Sequence, residues 1–148
     1  MIKRPLLANI DGETAAQVPN ANLIMVTSAL EGEGKTFTSI NLAMSIASEL
    51  DTTVMLVDAD VARPSILKTL GLDPRPGLLD LLVAGSTDLS SVLMRTNVEK
   101  LTLLSAGSQH PRATELLASE AMERLLADMA SRYSDRIIIF DSPPLLLT

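Results

Sequence analysis

A chain of 148 residues, 12 of them basic and 18 acidic with a formal charge of −6, has the size of one domain and no net attraction for a nucleic-acid backbone. The absence of cysteine excludes a disulfide framework, a zinc–thiolate site and a thiol nucleophile; a lone histidine excludes histidine-rich metal chemistry, and three aromatic residues are too few for base-stacking platforms. With 47% hydrophobic residues and no apolar run near the roughly 20 residues that cross a bilayer, the composition predicts one soluble domain over residues 1–148.

Residues 23–27 (Leu-Ile-Met-Val-Thr) form a short continuous apolar run, the pattern of a strand buried on both faces. A glycine-containing loop follows. Residues 35–50 then carry Phe37, Ile40, Ala43, Met44, Ala47 and Leu50 at spacings of three and four, which predicts an amphipathic helix. Strand patterns return at 53–58 (Thr-Val-Met-Leu-Val-Asp), 101–105 and 136–141 (Arg-Ile-Ile-Ile-Phe-Asp), with helical patterns at 65–70, 78–83, 88–95 and 114–132. Residues 71–77, with Pro74 and Pro76, punctuate neighbouring helices and do not link two domains. Strands alternating with helices predict an α/β fold, a parallel sheet with helices on both faces. The chain stops directly after its most apolar strand, and the expectation is a domain truncated there.

The first strand runs into Ser28-Ala29-Leu30-Glu31-Gly32-Glu33-Gly34-Lys35-Thr36. Successive backbone N–H groups from Glu31, Gly32, Glu33, Gly34, Lys35, Thr36 and Phe37 can converge on phosphate oxygens, and a helix starting near Lys35 aims its free N–H groups at the same place. Lys35 would set an ammonium on the β and γ phosphates, and the Thr36 hydroxyl would ligate Mg²⁺. The usual pattern is G-x-x-x-x-G-K-[ST]. Ala29 stands at its first glycine, but the strand before and the helix after supply the context that the motif requires.

The strand at 53–58 ends in Asp58, followed closely by Asp60, Arg63 and Pro64, and the last strand delivers Asp141 after Ile137-Ile138-Ile139-Phe140. In an open parallel sheet, ligands sit beyond the carboxyl ends of the strands, so Asp58, Asp60 and Asp141 are expected on the edge that carries the phosphate loop. Hard carboxylates there suit Mg²⁺.

With these residues in view, the chain resembles the bacterial tyrosine kinases of capsule and exopolysaccharide synthesis, part of the deviant-Walker P-loop ATPases that also include partition ATPases of the ParA and MinD type. The resemblance rests on a Walker A loop at 29–36 with Asn41-Leu42-Ala43 downstream, a Walker A′ strand at 54–60 with Arg63-Pro64, and a Walker B strand at 137–141 with Ser142-Pro143-Pro144. Gly77-Leu78, Ala106-Gly107 and Glu115-Leu116-Leu117 look like the family's intermediate landmarks. Residues 109–119 look most like the autokinases found beside exosortase loci.

The resemblance implies a P-loop NTPase-like fold, ATP and Mg²⁺ as cofactors, and transfer of the γ-phosphoryl group to tyrosine. Lys35, Asp58, Asp60 and Asp141 would be catalytic, with Thr36 and the three aspartates at the metal. It further implies a membrane polysaccharide co-polymerase as activating partner, homo-oligomeric assembly, and a cytoplasmic position at the inner face of the membrane. Departures exist. Leu30 stands where partition ATPases carry a signature lysine, Ala62 stands where many relatives have arginine, and the C-terminal tyrosine cluster is missing, Tyr133 being the chain's one tyrosine. The Lys3 and Arg4 region is a faint version of the family's basic oligomerisation segment. The alternative reading is a ParA/MinD-type ATPase acting as a nucleotide-controlled interaction switch.

Overall fold

The computed structural model describes residues 6–7, 22–30, 32, 34–49 and 51–143. Its five strands are β1 (Leu23–Val26), β2 (Thr53–Asp58), β3 (Met94–Arg95), β4 (Leu101–Leu104) and β5 (Arg136–Asp141), in the spatial order β1-β5-β2-β4-β3. All neighbours pair in parallel except β3 with β4. Among the described residues, Leu6 and Leu7 are helical, and the helices with described bounds are α1 (Lys35–Ala47), α2 (Ile66–Thr69), α3 (Leu78–Ala84), α4 (Ala113–Leu117) and α5 (Glu120–Arg132).

Side chains of a strand point alternately to the two faces of the sheet, and the two cores follow that rule. Val54, Leu56, Ile137 and Ile139 face Ile40, Ala43 and Ile46 of α1 on one side. Met55, Val57, Ile138 and Phe140 face Leu78 and Leu82 of α3 and Leu125 and Met129 of α5 on the other. The parallel sheet is therefore covered on both faces, as the alternation of strand and helix patterns predicts.

Register then places the strand ends. Val26 and Asp58 both lie opposite Asp141, so three adjacent strands finish at one level, and the Ala59 N–H continues the ladder to the Asp141 carbonyl at 2.9 Å. Whatever leaves β1, β2 and β5 emerges on one edge.

Local structure departs from the sequence pattern in three places. Residues 88–95 are not a helix: the Asp88 carboxylate accepts from the Ser90 amide and hydroxyl and closes a single 3₁₀ turn (Leu89–Ser91), after which Met94 and Arg95 pair antiparallel with β4. Local side-chain bonds of this kind give the backbone an alternative to a longer helix. The 114–132 run is two helices. Ser119 separates them, its hydroxyl donating to the Leu116 carbonyl at 2.6 Å and accepting from the Met122 amide as N-cap of α5. On α1 the buried face is Ile40, Ala43, Ile46 and Ala47, whereas Phe37 is 71% exposed in the first turn. Leu50 lies outside the described residues. Tyr133 ends α5, half-buried against the core, with the Arg136 guanidinium 5.1 Å from its ring centroid.

The loop after β4 is tied to the start of α3. Ser105 and Ala106 carbonyls accept from the Leu78 and Leu79 amides at 2.8 and 2.9 Å, while Asp80 Oδ2 accepts from the Gly77 and Ser108 amides at 2.8 and 3.0 Å. Burial opposes the Asp80 charge, but the bonds from Gly77 and Ser108 outweigh it and hold the carboxyl below the usual range. Hydrogen bonds to a charged group contribute about 1.5 kcal/mol each at the low end of their range, so loss of both in Asp80→Ala is expected to cost about 3 kcal/mol at pH 7. A depressed carboxyl stabilises above its unfolded value and stops doing so as pH falls through the folded one. The gap between variant and parent should therefore narrow as pH falls through the acid range, read from urea unfolding across pH.

Candidate active site

Gly32 and Gly34 adopt φ of +79° and +81°, a left-handed backbone open to glycine without strain. Gly34 is the N-cap of α1, and no side chain caps that helix, so its leading N–H groups face the loop. Glu31 and Glu33 lie outside the described residues. The remaining loop residues Gly32, Gly34, Lys35, Thr36 and Phe37 line one cleft together with Ser28, Asp60, Arg63 and Ser65.

Beneath that cleft, the first turn of α1 meets the end of β5. Lys35 Nζ lies 2.8 Å from Asp141 Oδ1 and 3.2 Å from Asp60 Oδ2, its side chain 8% exposed. The Thr36 hydroxyl donates to the other oxygen of Asp141 at 2.7 Å. Burial lowers the Lys35 pKa, yet its bonds and charge pairing with Asp141 and Asp60 prevail and raise it above the ordinary 10.5. Asp141 is fully buried, and Ser39, one turn beyond Lys35, shares its hydroxyl between the Lys35 carbonyl at 2.9 Å and Asp141 Oδ1 at 3.4 Å.

Asp58 is also buried, and its hydrogen bonds run to backbone amides. Its Oδ1 accepts from the Asp60 amide at 3.2 Å, and its Oδ2 from the Ser65 and Ile66 amides at 3.0 and 3.1 Å. It thereby shapes the turn that carries Asp60 and Ser65 to the cleft.

Residues 21–148 match the family model described as an AAA domain. The tyrosine-protein kinase ptk of Acinetobacter johnsonii is 38% identical over 125 residues, covering 84% of this chain and 16% of that protein. The solved kinase domain of VpsO is 34% identical, with a TM-score of 0.77, covering 99% of this chain and 73% of that one. The chain belongs to the bacterial tyrosine kinase family. This family member spans about a sixth of the length of the Acinetobacter relative. A more distant likeness is cobyrinic acid a,c-diamide synthase from Mycobacterium smegmatis, solved with an ATP analogue and magnesium: 28% identity, TM-score 0.62, 82% of this chain and 51% of that one.

The donor set of this bacterial tyrosine kinase domain suits Mg²⁺. Among the described residues no group of three or more His, Asp or Glu side chains is arranged to hold a metal by itself. Mg²⁺ needs none, because it keeps several waters and is held through one or two carboxylates together with substrate phosphates. The Asp141 carboxylate, 2.7 Å from the Thr36 hydroxyl beside the glycine loop, fits that requirement.

Of the residues singled out from sequence, Lys35, Thr36, Asp60 and Asp141 come together in direct contact, Asp58 supports them through the backbone, and Phe37 reaches the cleft rim with its ring exposed. Ser39 and Ser65 were not legible as site residues. Ser39 had a signal, the i,i+4 spacing from Lys35 on a helix; Ser65, 29 positions from its partner Thr36, had none.

Burial is the main reason that the Asp58 carboxyl is pushed from 3.8 up to about 6, despite the N–H donors, with the negative charge of Asp141 adding to it. A folded value above the unfolded one means that the native state holds the proton more tightly, so this stabilisation is complete below about pH 4 and gone above about pH 6. At 1.36 kcal/mol per unit, the nucleotide-free protein should lose about 3 kcal/mol through this group between pH 4 and pH 7. Urea midpoints across that range should show the decline, and Asp58→Asn should flatten it.

Proposed function

We propose that this chain is the ATP-binding catalytic domain of a protein tyrosine autokinase, transferring the γ-phosphoryl group of ATP to tyrosine and so regulating exopolysaccharide or capsule synthesis. The observation that carries the reading is the convergence of Lys35, Thr36 and Asp60 on the buried Asp141 at the mouth of a glycine loop, in a chain of this family.

In phosphoryl transfer there is little covalent chemistry for the protein, and positioning and charge neutralisation do most of the work. The backbone N–H groups of 31–37 would cradle the phosphate oxygens, and the Lys35 ammonium would leave the carboxylates to neutralise the transferring group. Mg²⁺, when bound, would supply charge neutralisation for the phosphates. Thr36 would offer it a hydroxyl, and Asp141 would fix that hydroxyl and the waters around it. Asp60 reaches the cleft, so it is the group assigned to take the proton of the attacking phenol. Asp58 serves by holding the 58–66 turn that presents Asp60.

The same reading includes a membrane polysaccharide co-polymerase as activating partner and a homo-oligomer in which one copy presents tyrosines to the next. It places the domain in the cytoplasm at the inner face of the membrane. Among the described residues no helix is long and apolar enough to cross a membrane, and the proposal assigns membrane contact to the partner. The test is incubation of the full-length protein with labelled ATP and Mg²⁺, followed by phosphoamino-acid analysis. Phosphotyrosine is the expected product. ATP hydrolysis without phosphotyrosine would replace the kinase reading with that of a nucleotide-controlled switch.

A further inference from the structure

We propose that Ser65 is a positioning residue of the metal site, its hydroxyl setting the rotor of Thr36 and receiving a water of the metal's shell; this rests on the nucleotide-binding reading above. The argument is proton accounting. The Thr36 and Ser65 hydroxyl oxygens are 2.6 Å apart, and the Thr36 proton is directed to Asp141 Oδ2 at 2.7 Å. A hydroxyl has one proton and two acceptor lone pairs. With the Thr36 proton committed to a carboxylate, the proton between the two hydroxyls belongs to Ser65, which donates to Thr36. Thr36 then keeps a single free lone pair, and its direction is fixed by two bonds instead of one.

Ser65 itself is held from behind. Its amide donates to Asp58 Oδ2 at 3.0 Å, next to the Ile66 amide at 3.1 Å on the same oxygen, so the backbone that carries the hydroxyl is anchored at the end of β2. Having donated its proton, the Ser65 oxygen retains its two acceptor lone pairs, and the residue lines the cleft alongside Thr36, Asp60 and Gly34. A metal-bound water is a strong donor that needs such an acceptor, since Mg²⁺ keeps several of its waters when bound. Ser65 thus acts on the metal through Thr36 and through water, with no direct bond required.

The experiment is ADP binding to the full-length protein by titration calorimetry, with Mg²⁺ and with EDTA, for the parent, Ser65→Ala and Ser65→Thr. The gain in ADP affinity that Mg²⁺ confers is expected to fall about tenfold in Ser65→Ala, the low end of the range seen when outer-shell partners of a metal ligand are removed. ADP affinity in EDTA should stay within about twofold of the parent, and Ser65→Thr, which restores a hydroxyl, should recover most of the metal effect. An equal loss with and without metal would overturn the proposal, because it would make Ser65 a support of the loop alone. So would an unchanged metal effect in Ser65→Ala. Absence of ADP binding by the parent under both conditions would instead overturn the nucleotide reading itself, and the role of Ser65 with it.

Discussion

Lys35→Met is expected to lower phosphotyrosine formation by at least a hundredfold and, in the same protein without nucleotide, to lower stability by about 3 kcal/mol. The first effect follows from the size of a single preorganised charge at a transferring group, where loss of one donor costs about 10² to 10³ in rate. The second follows from geometry. Lys35 is the cation that Asp141 and Asp60 share at 2.8 and 3.2 Å, and Asp141 has no exposure to water. Removing one partner of a buried ion pair leaves an uncompensated charge, at a cost of about 3 to 5 kcal/mol; the Thr36 and Ser39 hydroxyls that remain on Asp141 argue for the low end. Immunoblots for phosphotyrosine and urea unfolding measure both effects. An undiminished phosphotyrosine yield would remove Lys35 from the chemistry, and an undiminished stability would mean that the ammonium is not what shields Asp141.

Gly77→Ala is expected to be the most damaging substitution outside the site, with a loss of about 4 kcal/mol, a large share of the 5 to 15 kcal/mol that holds a domain together. A Cβ at position 77 would overlap the Ser105 carbonyl oxygen and hydroxyl and stand 2.7 Å from the Ser105 carbonyl carbon. Two of those obstacles are backbone, and they cannot rotate away. The Ser105 carbonyl also accepts the first amide of α3, so relieving the overlap breaks that bond and loosens its neighbour from Leu79 to Ala106. Overpacking costs about 1 to 3 kcal/mol and each lost bond about 1 more. Gly71→Ala is the informative contrast: its surroundings are open, and only a φ of +70° opposes a side chain, for a loss of about 1 kcal/mol. Thermal melts of the two variants should separate them widely; equal melting temperatures would show that the α3 junction yields more easily than its geometry allows.

The architecture is legible in the sequence because its signals are periodic. Uninterrupted apolar runs at 53–58 and 136–141 coincide with β2 and β5, and the acids that end them arrive side by side because parallel strands of equal length finish in register. The glycine–lysine–threonine segment is legible for a different reason, since its chemistry is local to a few consecutive residues. What pattern does not carry is anything decided by one tertiary contact. A two-residue strand such as β3 has no period, and Ser119 breaks a helical run through one hydroxyl. The division of labour between Asp58 and Asp60, two positions apart, depends on which carboxylate meets backbone amides and which meets the lysine. Ser65 is ordinary in sequence and becomes informative only at 2.6 Å from Thr36.

The bridge that Lys35 makes between Asp60 and Asp141 gives the resting pocket the character of an internal salt. On the proposed reading, loading it would consequently be an ion exchange rather than the filling of a hollow. The ammonium would trade carboxylates for phosphate oxygens, and the released carboxylates would require a substitute cation at the same moment. A triphosphate that arrives with its own divalent companion satisfies both halves of the trade, whereas an anion arriving bare would strand two negative groups beside its own.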